Sequence, residues 1–529
     1  MGFAEDILEL IRSGAVADKA TLHRAKVKLC RKYRLSEIPS DADLLASLPP
    51  CIEGREAGEI RKLLQKKPAR TISGVAVVAV MTSPEACPHG KCIVCPGGPD
   101  TGSAQSYTGS EPAAMRASAH CFDPFEQTKS RLEQLSAIGH ITDKVDLILM
   151  GGTFTARDFY YQEWFVKRCF DAMNGFASAS LEDAKKGNES AKNRCIGLTV
   201  ETRPDWMRLQ HCDRVLGYGA TRVELGVQST SDAVLQAMER GHTTNDTACA
   251  TRILKDSGLK VCYHMMPGLP GSDRDTDIES FRDIFSDGRF MPDMIKIYPT
   301  LVVGNTKLAE MWRRGEYVPL ETQAAAELVA RIKSFIPEWV RVQRVERDIP
   351  VPLISAGVDK SNLRQIAEQL MAGHGTKCRC IRCREVGHRL MRDGSQPDLD
   401  SVRLVRREYD ASGGRELFLS LEDVKQDILI GYARLRMPGA PHRPEITERS
   451  ALIRELKIHG PALALGEKPR YEWQHRGFGQ EIMAEAIRLS AEEFDAKKML
   501  VTSGVGVKSY YRKMGFSDDG PYVSKTLTK

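Results

Sequence analysis

Three cysteines within nine residues, Cys87-Pro-His-Gly-Lys-Cys92-Ile-Val-Cys95, carry the strongest chemical signal in the chain. Three thiolates on one loop can hold three irons of a [4Fe–4S] cluster and leave the fourth iron open to a ligand, whereas structural zinc prefers four protein ligands. His89 could complete a zinc site instead, and unpaired core cysteines are the blander alternative. A second group, Cys378-Arg-Cys380-Ile-Arg-Cys383, lies in a polar stretch without apolar periodicity, flanked by His374 and His388. That pattern suggests a structural zinc with either histidine as the fourth ligand, closed to substrate. Near the C-terminus, Gln474-His475-Arg476-Gly477-Phe478-Gly479-Gln480 opens a helical pattern, so backbone N–H groups and the positive helix end would face a pyrophosphate; a flexible helix start is the competing account.

The elements that must position these groups show in the hydrophobic patterning. From Thr71 onward, β-branched runs at 75–80, 145–150, 196–200, 222–227, 260–266 and 294–299 alternate with helical segments. Such alternation predicts an α/β fold with a parallel sheet or a partial (β/α) barrel, whose chemistry sits just beyond the strand ends. The first cysteine loop follows the first of these strands. Gly151-Gly152-Thr153, Glu201 and Gln228 follow later ones, and Arg240 lies twelve residues beyond Gln228. Lys296, within the last run, is placed near the barrel mouth, as a base or phosphate contact or as a solvated lysine. After about residue 400 the pattern becomes antiparallel strands followed by a helix, an α+β domain. The predicted division is a basic helical region at 1–70, the barrel at 71–345, a cysteine-bearing linker at 346–400 and the α+β domain at 401–529.

The 529 residues exclude a small binding module, and 42% hydrophobic with 28% charged residues excludes a disordered or collagen-like chain. A net charge of +6 is too mild to establish an anionic partner, but its distribution is informative. Lys19–Arg34 holds seven Lys or Arg and no acid on a partial apolar stripe, which predicts a basic amphipathic helix; Lys26, Lys28, Arg31 and Lys32 are its candidate RNA contacts, a solvated face the alternative. No apolar run approaches a membrane span and no signal peptide is legible, so the expected location is the cytoplasm.

The motif following the first strand is similar to that of the radical S-adenosylmethionine superfamily, although C-x4-C-x2-C is one residue longer than the commonest spacing. With CPGGPDTGSAQSYTGSEPAAMRA, LILMGGTF, VETRPDW and VELGVQS, the chain from about Thr71 onward resembles the Elongator catalytic-subunit family in its stand-alone archaeal or bacterial form. The resemblance implies that the open iron binds S-adenosylmethionine, with Gly151, Gly152 and Thr153 near its amino group, Glu201 and Gln228 at the adenosine half and Arg240 at the carboxylate.

The C-terminal motifs resemble the GNAT acetyltransferases. This implies that the backbone of Glu455, Leu456, Lys457 and Ile458 pairs with pantetheine amides, that Gln474, Gly477, Phe478, Gly479 and Gln480 hold the pyrophosphate, and that Tyr511 approaches the sulfur of acetyl-coenzyme A. Tyr511 would either protonate the leaving thiolate or shape the pocket. Lys144 matches a barrel lysine that touches acetyl-coenzyme A in the family.

Together these imply a tRNA enzyme working as monomer or homodimer with an external reductant, which attaches the acetyl methyl to C5 of the wobble uridine in the anticodon stem-loop and leaves 5-carboxymethyluridine. A protein lysine acetyltransferase with a structural or regulatory cluster is the rival reading. The two cofactor sites fall in different domains, and a domain closure or a tRNA-triggered movement would have to bring them together.

Overall fold

The computed structural model describes residues 2–48, 54–460, 473 and 476–527. Four helices open the chain: α1 (Phe3–Arg12), α2 (Lys19–Tyr33), α3 (Asp41–Ala46) and α4 (Gly54–Leu64). Asp18 caps α2 by accepting the Thr21 N–H at 2.7 Å. Leu22 and Leu29 pack with Ile7, Leu8, Leu44, Ile60 and Leu64 in a separate small core.

The barrel strands are β1 (Ala76–Met81), β2 (Lys144–Met150), β3 (Arg194–Thr202), β4 (Arg222–Gln228), β5 (Lys260–Met265) and β6 (Met294–Ile297). A two-residue β7 (Val302–Val303) precedes β8 (Arg341–Val345) and pairs with β9 (Ile354–Ala356). The sheet runs β1-β2-β3-β4-β5-β6-β8, every neighbour parallel, so β8 is a seventh strand beyond the six expected. Val145, Leu147 and Leu149 face the surrounding helices and are fully buried, while alternate residues of β2 face the barrel interior and are only half-buried. The interior is filled by charged side chains, among them the buried Arg222, Glu224 and Lys296, and is not an apolar plug. The result is a radical SAM-type half-barrel followed by a mixed-sheet domain, as the sequence predicts.

The C-terminal sheet is built from β10 (Val402–Ala411), β11 (Gly414–Asp423), β12 (Ile428–Met437), β13 (Ser450–Ile458), β14 (Lys498–Val501), β15 (Ser517–Asp519) and β16 (Tyr522–Thr526), in the order β10-β11-β12-β13-β14-β16-β15. Only β13 and β14 run parallel, and they pair over Ser450–Ile453 alone. Beyond Ile453 the two strands part, so Arg454–Ile458 keep β12 as partner on one side and leave the other edge unpaired by β14. The helix Phe478–Glu492 packs across this sheet.

This domain docks on the N-terminal ends of the barrel strands through a buried ion network. Arg454 bonds both oxygens of Asp293 (2.7 and 2.6 Å) and donates to the Leu259 carbonyl (3.0 Å). Arg436 bonds Asp256 and Glu416, Arg434 bonds Glu455 at 3.0 Å, and Lys255 lies 3.5 Å from Asp293 and 3.4 Å from Glu416. Four cations and four carboxylates thus balance out of water. A closure of this domain on the barrel would have to separate them, and breaking one such buried pair costs about 3–5 kcal/mol. The linker adds Glu385, whose carboxylate bonds Ser73 (2.7 Å) and Arg341 of the barrel and lies 3.0 Å from His459 of the C-terminal domain.

Candidate active site and the edge of β13

The cysteine loop follows β1, and its three thiols line a cavity of about 1160 Å³, partly open to solvent, at the C-terminal ends of the strands. Backbone turns set the loop: Gly90 N–H donates to Cys87 O and Cys95 N–H to Cys92 O, each at 3.0 Å. Around the sulfurs, Thr153 Oγ1 lies 3.4 Å from Cys87, Gln105 donates to Cys95 at 2.9 Å and Arg240 Nη1 reaches Cys92 at 3.6 Å. His89 Nε2 lies 3.0 Å from Cys92 Sγ. Burial, then the guanidinium groups of Arg203 and Arg240, push this imidazole down to about 4. Among the described residues, the ligand sets gathered within 4.8 Å for a single ion are Cys378/Cys380/Cys383 and Glu224/Cys262/His264, and the Cys87 loop is not one of them. Thiols spread around a cavity, with no fourth protein ligand, suit a cluster better than one zinc ion.

Gly151, Gly152, Thr153, Glu201, Gln228 and Arg240 converge on this end. Gly151 and Gly152 adopt φ of 122° and 82°. A Cβ at Gly151 would stand 2.2 Å from Thr82 Oγ1, and one at Gly152 only 3.7 Å from Cys87 Sγ. Gln228 holds a positive φ of 73°, and its Oε1 is buried without a hydrogen-bond partner among the described residues, as are Arg240 Nε and Arg203 Nη1. Buried polar atoms aimed unpaired into one cavity are the mark of a missing polar guest. Arg240 is held by Gly226 O at 2.9 Å, and a Cβ at Gly226 would stand 2.5 Å from Arg240 Nη2 and displace the guanidinium. Glu201 accepts from Tyr107 at 3.0 Å, a contact that the sequence did not signal.

Lys296 corrects its sequence reading. It is 7% exposed, inside the barrel and not solvated at the mouth, and its ammonium bonds Glu224 and Glu201 (3.3 Å). Burial opposes the charge, but Glu224 and Glu201 outweigh it and hold the ammonium well above its ordinary value. The physical reason is strand periodicity: Lys296 faces inward on β6, beside His264 of β5. Lys26 is likewise withdrawn, because it shares the stripe of Leu22 and Leu29; it is 6% exposed and bonds Asp41 at 2.9 Å. Lys32 is exposed but bonds Asp6 at 2.6 Å, whereas Lys28 and Arg31 project into solvent.

At the opposite end of the barrel, Leu456, Lys457 and Ile458 are half-buried on β13 beyond its pairing with β14. Glu455 is instead committed to Arg434 and to Lys260 at 3.7 Å. Lys144 opens β2 and is half-buried at this same end. Gly477, with φ 87°, starts the helix Phe478–Glu492; Phe478 and Gly479 are half-buried and Gln480 is exposed, while Gln474 and His475 lie outside the described residues. The Tyr510 hydroxyl reaches to 2.9 Å from where a Gly479 Cβ would stand, a contact the sequence reading missed although both residues flank its motifs. Tyr511 packs edge-on against Tyr510 (5.2 Å) and Phe516 (6.0 Å), and burial pushes its hydroxyl well up. Cys378, Cys380 and Cys383 meet in one group that neither His374 nor His388 joins; His388 bonds Glu385 at 3.1 Å.

The family model of the Radical SAM superfamily matches residues 82–284, that of the Radical_SAM C-terminal domain 292–372, and that of the ELP3 N-terminal domain 2–72. The tRNA uridine(34) acetyltransferase of Methanocaldococcus jannaschii is 51% identical over 99% of this chain and 97% of its own. Human Elongator complex protein 3 is 43% identical over 98% and 96%. The solved structure of Methanocaldococcus infernus Elp3, lacking residues 1–46, superimposes with a TM-score of 0.78 at 49% identity, covering 86% of this chain and all of that one. The chain belongs to the radical SAM superfamily and, within it, to the Elongator complex protein 3 family.

Proposed function

We propose that the protein is a tRNA-modifying enzyme that uses a 5′-deoxyadenosyl radical to activate the acetyl methyl of acetyl-coenzyme A and joins it to C5 of the wobble uridine, hydrolysis then leaving 5-carboxymethyluridine. The observation that carries the reading is the conjunction, in one chain, of a three-thiol cavity with unpaired polar atoms and a splayed strand pair beside a glycine-started helix. The full-length likeness to proteins named for acetylation of tRNA uridine 34 supports it.

Cys87, Cys92 and Cys95 would hold a [4Fe–4S] cluster, which supplies one-electron reduction of S-adenosylmethionine to methionine and the radical. Arg240 would hold the cofactor's carboxylate, the strand-end glycines its amino group, and Glu201 and Gln228 its adenosine. Leu456–Ile458, beyond the reach of β14, would pair with pantetheine, Gly477–Gln480 would receive the pyrophosphate, and the buried Tyr511, protonated at neutral pH, would offer its O–H to the leaving thiolate. Lys144 would meet the thioester from the barrel side. Cys378, Cys380 and Cys383 would hold a structural zinc that fixes the linker. Exposed Lys28 and Arg31 would bind the anticodon stem-loop.

Anaerobic incubation of cluster-reconstituted protein with dithionite, S-adenosylmethionine, methyl-labelled acetyl-coenzyme A and unmodified tRNA, followed by nucleoside mass spectrometry, tests this. Labelled 5-carboxymethyluridine that vanishes in Cys92→Ala is expected. Peptide acetylation without S-adenosylmethionine, and no labelled nucleoside, would establish the lysine acetyltransferase instead.

A further inference from the structure

Between Glu201 at the cysteine end and Glu455 at the opposite end runs a line of charged side chains. On β4, Arg222, Glu224 and Gly226 are alternate residues, and an irregularity before Gln228, whose φ is 73°, still brings that side chain to the cavity at the cysteine end. Gln228 belongs to the cysteine end and Arg222 to the opposite end, separated by roughly 20 Å of strand at about 3.3 Å per residue. Glu224 lies between them, fully buried.

Three groups meet on its carboxylate. Lys296 bonds Oε2 from β6, His264 Nε2 lies 2.8 Å from the same oxygen from β5, and Arg222 Nε approaches Oε1 at 3.3 Å. Each partner leads onward. Lys296 also reaches Glu201 at 3.3 Å, and Glu201 holds Tyr107. Arg222 bonds Asp146 at 3.2 Å and is the cross-strand partner of Lys260, whose ammonium stands 3.7 Å from Glu455. Glu224, Cys262 and His264 are close enough to share a metal ion, but the Lys296 ammonium already supplies the cation there.

Lys296 is the adjustable element in this line, because one ammonium serves two carboxylates. A ligand that takes up an oxygen of Glu201 leaves Lys296 to Glu224 alone, which changes the hold of Glu224 on Arg222. A ligand that draws Glu455 and Lys260 changes the same balance from below. Energetic coupling requires an element whose two arrangements both sites bias, and a shared buried cation meets that requirement.

We propose that Glu224 is a positioning residue that couples the two ends of the barrel, so that occupancy of the cysteine end alters affinity at the β13 edge and the reverse. The proposal rests on reading those ends as the S-adenosylmethionine and acetyl-coenzyme A sites. It places the communication between sites inside a rigid body, through side chains and not domain rotation.

The test is linkage measured by equilibrium binding on the full-length, cluster-reconstituted protein. The dissociation constant of S-adenosylmethionine is measured with and without saturating ethyl-coenzyme A, an unreactive thioether, and that of ethyl-coenzyme A with and without S-adenosylmethionine. Wild type should show a shift of about fivefold or more, equal in the two titrations because coupling is reciprocal. In Glu224→Gln each ligand should still bind alone while the factor falls to one. Asp146→Asn, at the half-exposed lower end of the line, and the charge-neutral pair Glu224→Gln/Lys296→Met should lose it too, with thermal melting confirming that each is folded. A wild-type factor of one, or a full factor retained in folded Glu224→Gln or Asp146→Asn, overturns the proposal. Failure of wild type to bind either ligand would instead overturn the reading of the two ends.

Discussion

Asp293 is the member of the interdomain network whose loss should be felt most. It is fully buried and carries two bonds from Arg454, with Arg434 and Lys255 each 3.5 Å away and the Val261 N–H at 2.8 Å. Burial opposes its charge, yet Arg454, Lys255 and Arg434 hold the carboxyl well below the ordinary range. Asp293→Asn keeps the shape and removes the charge, so the balanced set of four cations and four carboxylates gains a net positive charge with no water to screen it. The expected cost is about 3–5 kcal/mol. For a chain this long the urea slope lies at or above about 3 kcal/mol per molar, the top of the range of small proteins, so the midpoint falls by up to about 1–1.7 M. Trp339 is the natural reporter: its ring stacks on Tyr409 of β10 at 4.4 Å, and its carbonyl accepts from Arg434 at 2.7 Å. Its fluorescence, taken as the difference from a Trp339→Phe background, should change at lower urea than the far-ultraviolet circular dichroism of the barrel. By contrast, Arg488→Ala breaks only exposed pairs on one helix and should leave the midpoint in place. A loss for Asp293→Asn below about 1 kcal/mol, the range of exposed pairs, would refute the view that these charges weld the domains.

Lys28→Ala/Arg31→Ala should weaken tRNA binding and flatten its salt dependence in a filter-binding titration, while Lys26→Met should instead lower the melting temperature, through loss of its bond to Asp41, about 1–3 kcal/mol for a charged partner. Burial raises Asp277 to about 6 against its bonds from Ser272 and Gly268. An acid with a raised folded pKa binds more protons folded than unfolded, so its contribution to stability falls as pH rises from about 4 to 6; Asp277→Asn should remove that fall and leave the protein up to about 2–3 kcal/mol more stable at pH 7 by urea titration. Gly226→Ala should drive a methyl into Arg240 and Gln228 and weaken S-adenosylmethionine binding by about tenfold or more, an overpacking cost of about 1–3 kcal/mol measured by equilibrium dialysis.

The features that chemistry requires at fixed sequence spacing were the legible ones. Cys87, Cys92 and Cys95, the strand-end residues Gly151, Glu201 and Gln228, and the glycine-started helix at Gly477 all lie where an alternating strand and helix pattern would place them. What escaped is set by long-range or periodic placement. Arg454 and Asp293 are 161 residues apart, and nothing local distinguishes a welded arginine from a surface one. Lys296 looked like a mouth residue because the run MIKIYP names a strand but not which face turns inward; the period of two settles that only once a neighbour such as His264 fixes the register. Lys26 was counted with its basic neighbours although the 22-26-29 stripe already turns it toward α1 and α3. β8 was missed because RVQRV carries its charges three apart, at Arg341 and Arg344, and lacks a strand's period of two; Arg341 is bonded inward to the linker residue Glu385.

The same placement constrains how a radical and a thioester could meet. The cysteine loop follows the C-terminal end of β1, and β13 lies against residues that precede β5 and β6, so the two ends lie across strands four to nine residues long. The domains cannot swing together without separating Arg454 from Asp293 and Arg436 from Asp256, nor can the linker yield without releasing Glu385 from Arg341. The moving parts must therefore be small ones. Those the fold leaves adjustable are the side chains of the barrel interior, where Lys296 is shared by two carboxylates and the inward residues of β2 are only half-buried. A barrel filled with interlocking valines and leucines would be more stable but mute. A charged interior keeps one end responsive to the other at the cost of desolvating Glu224, and its retention here is explained by function more readily than by stability.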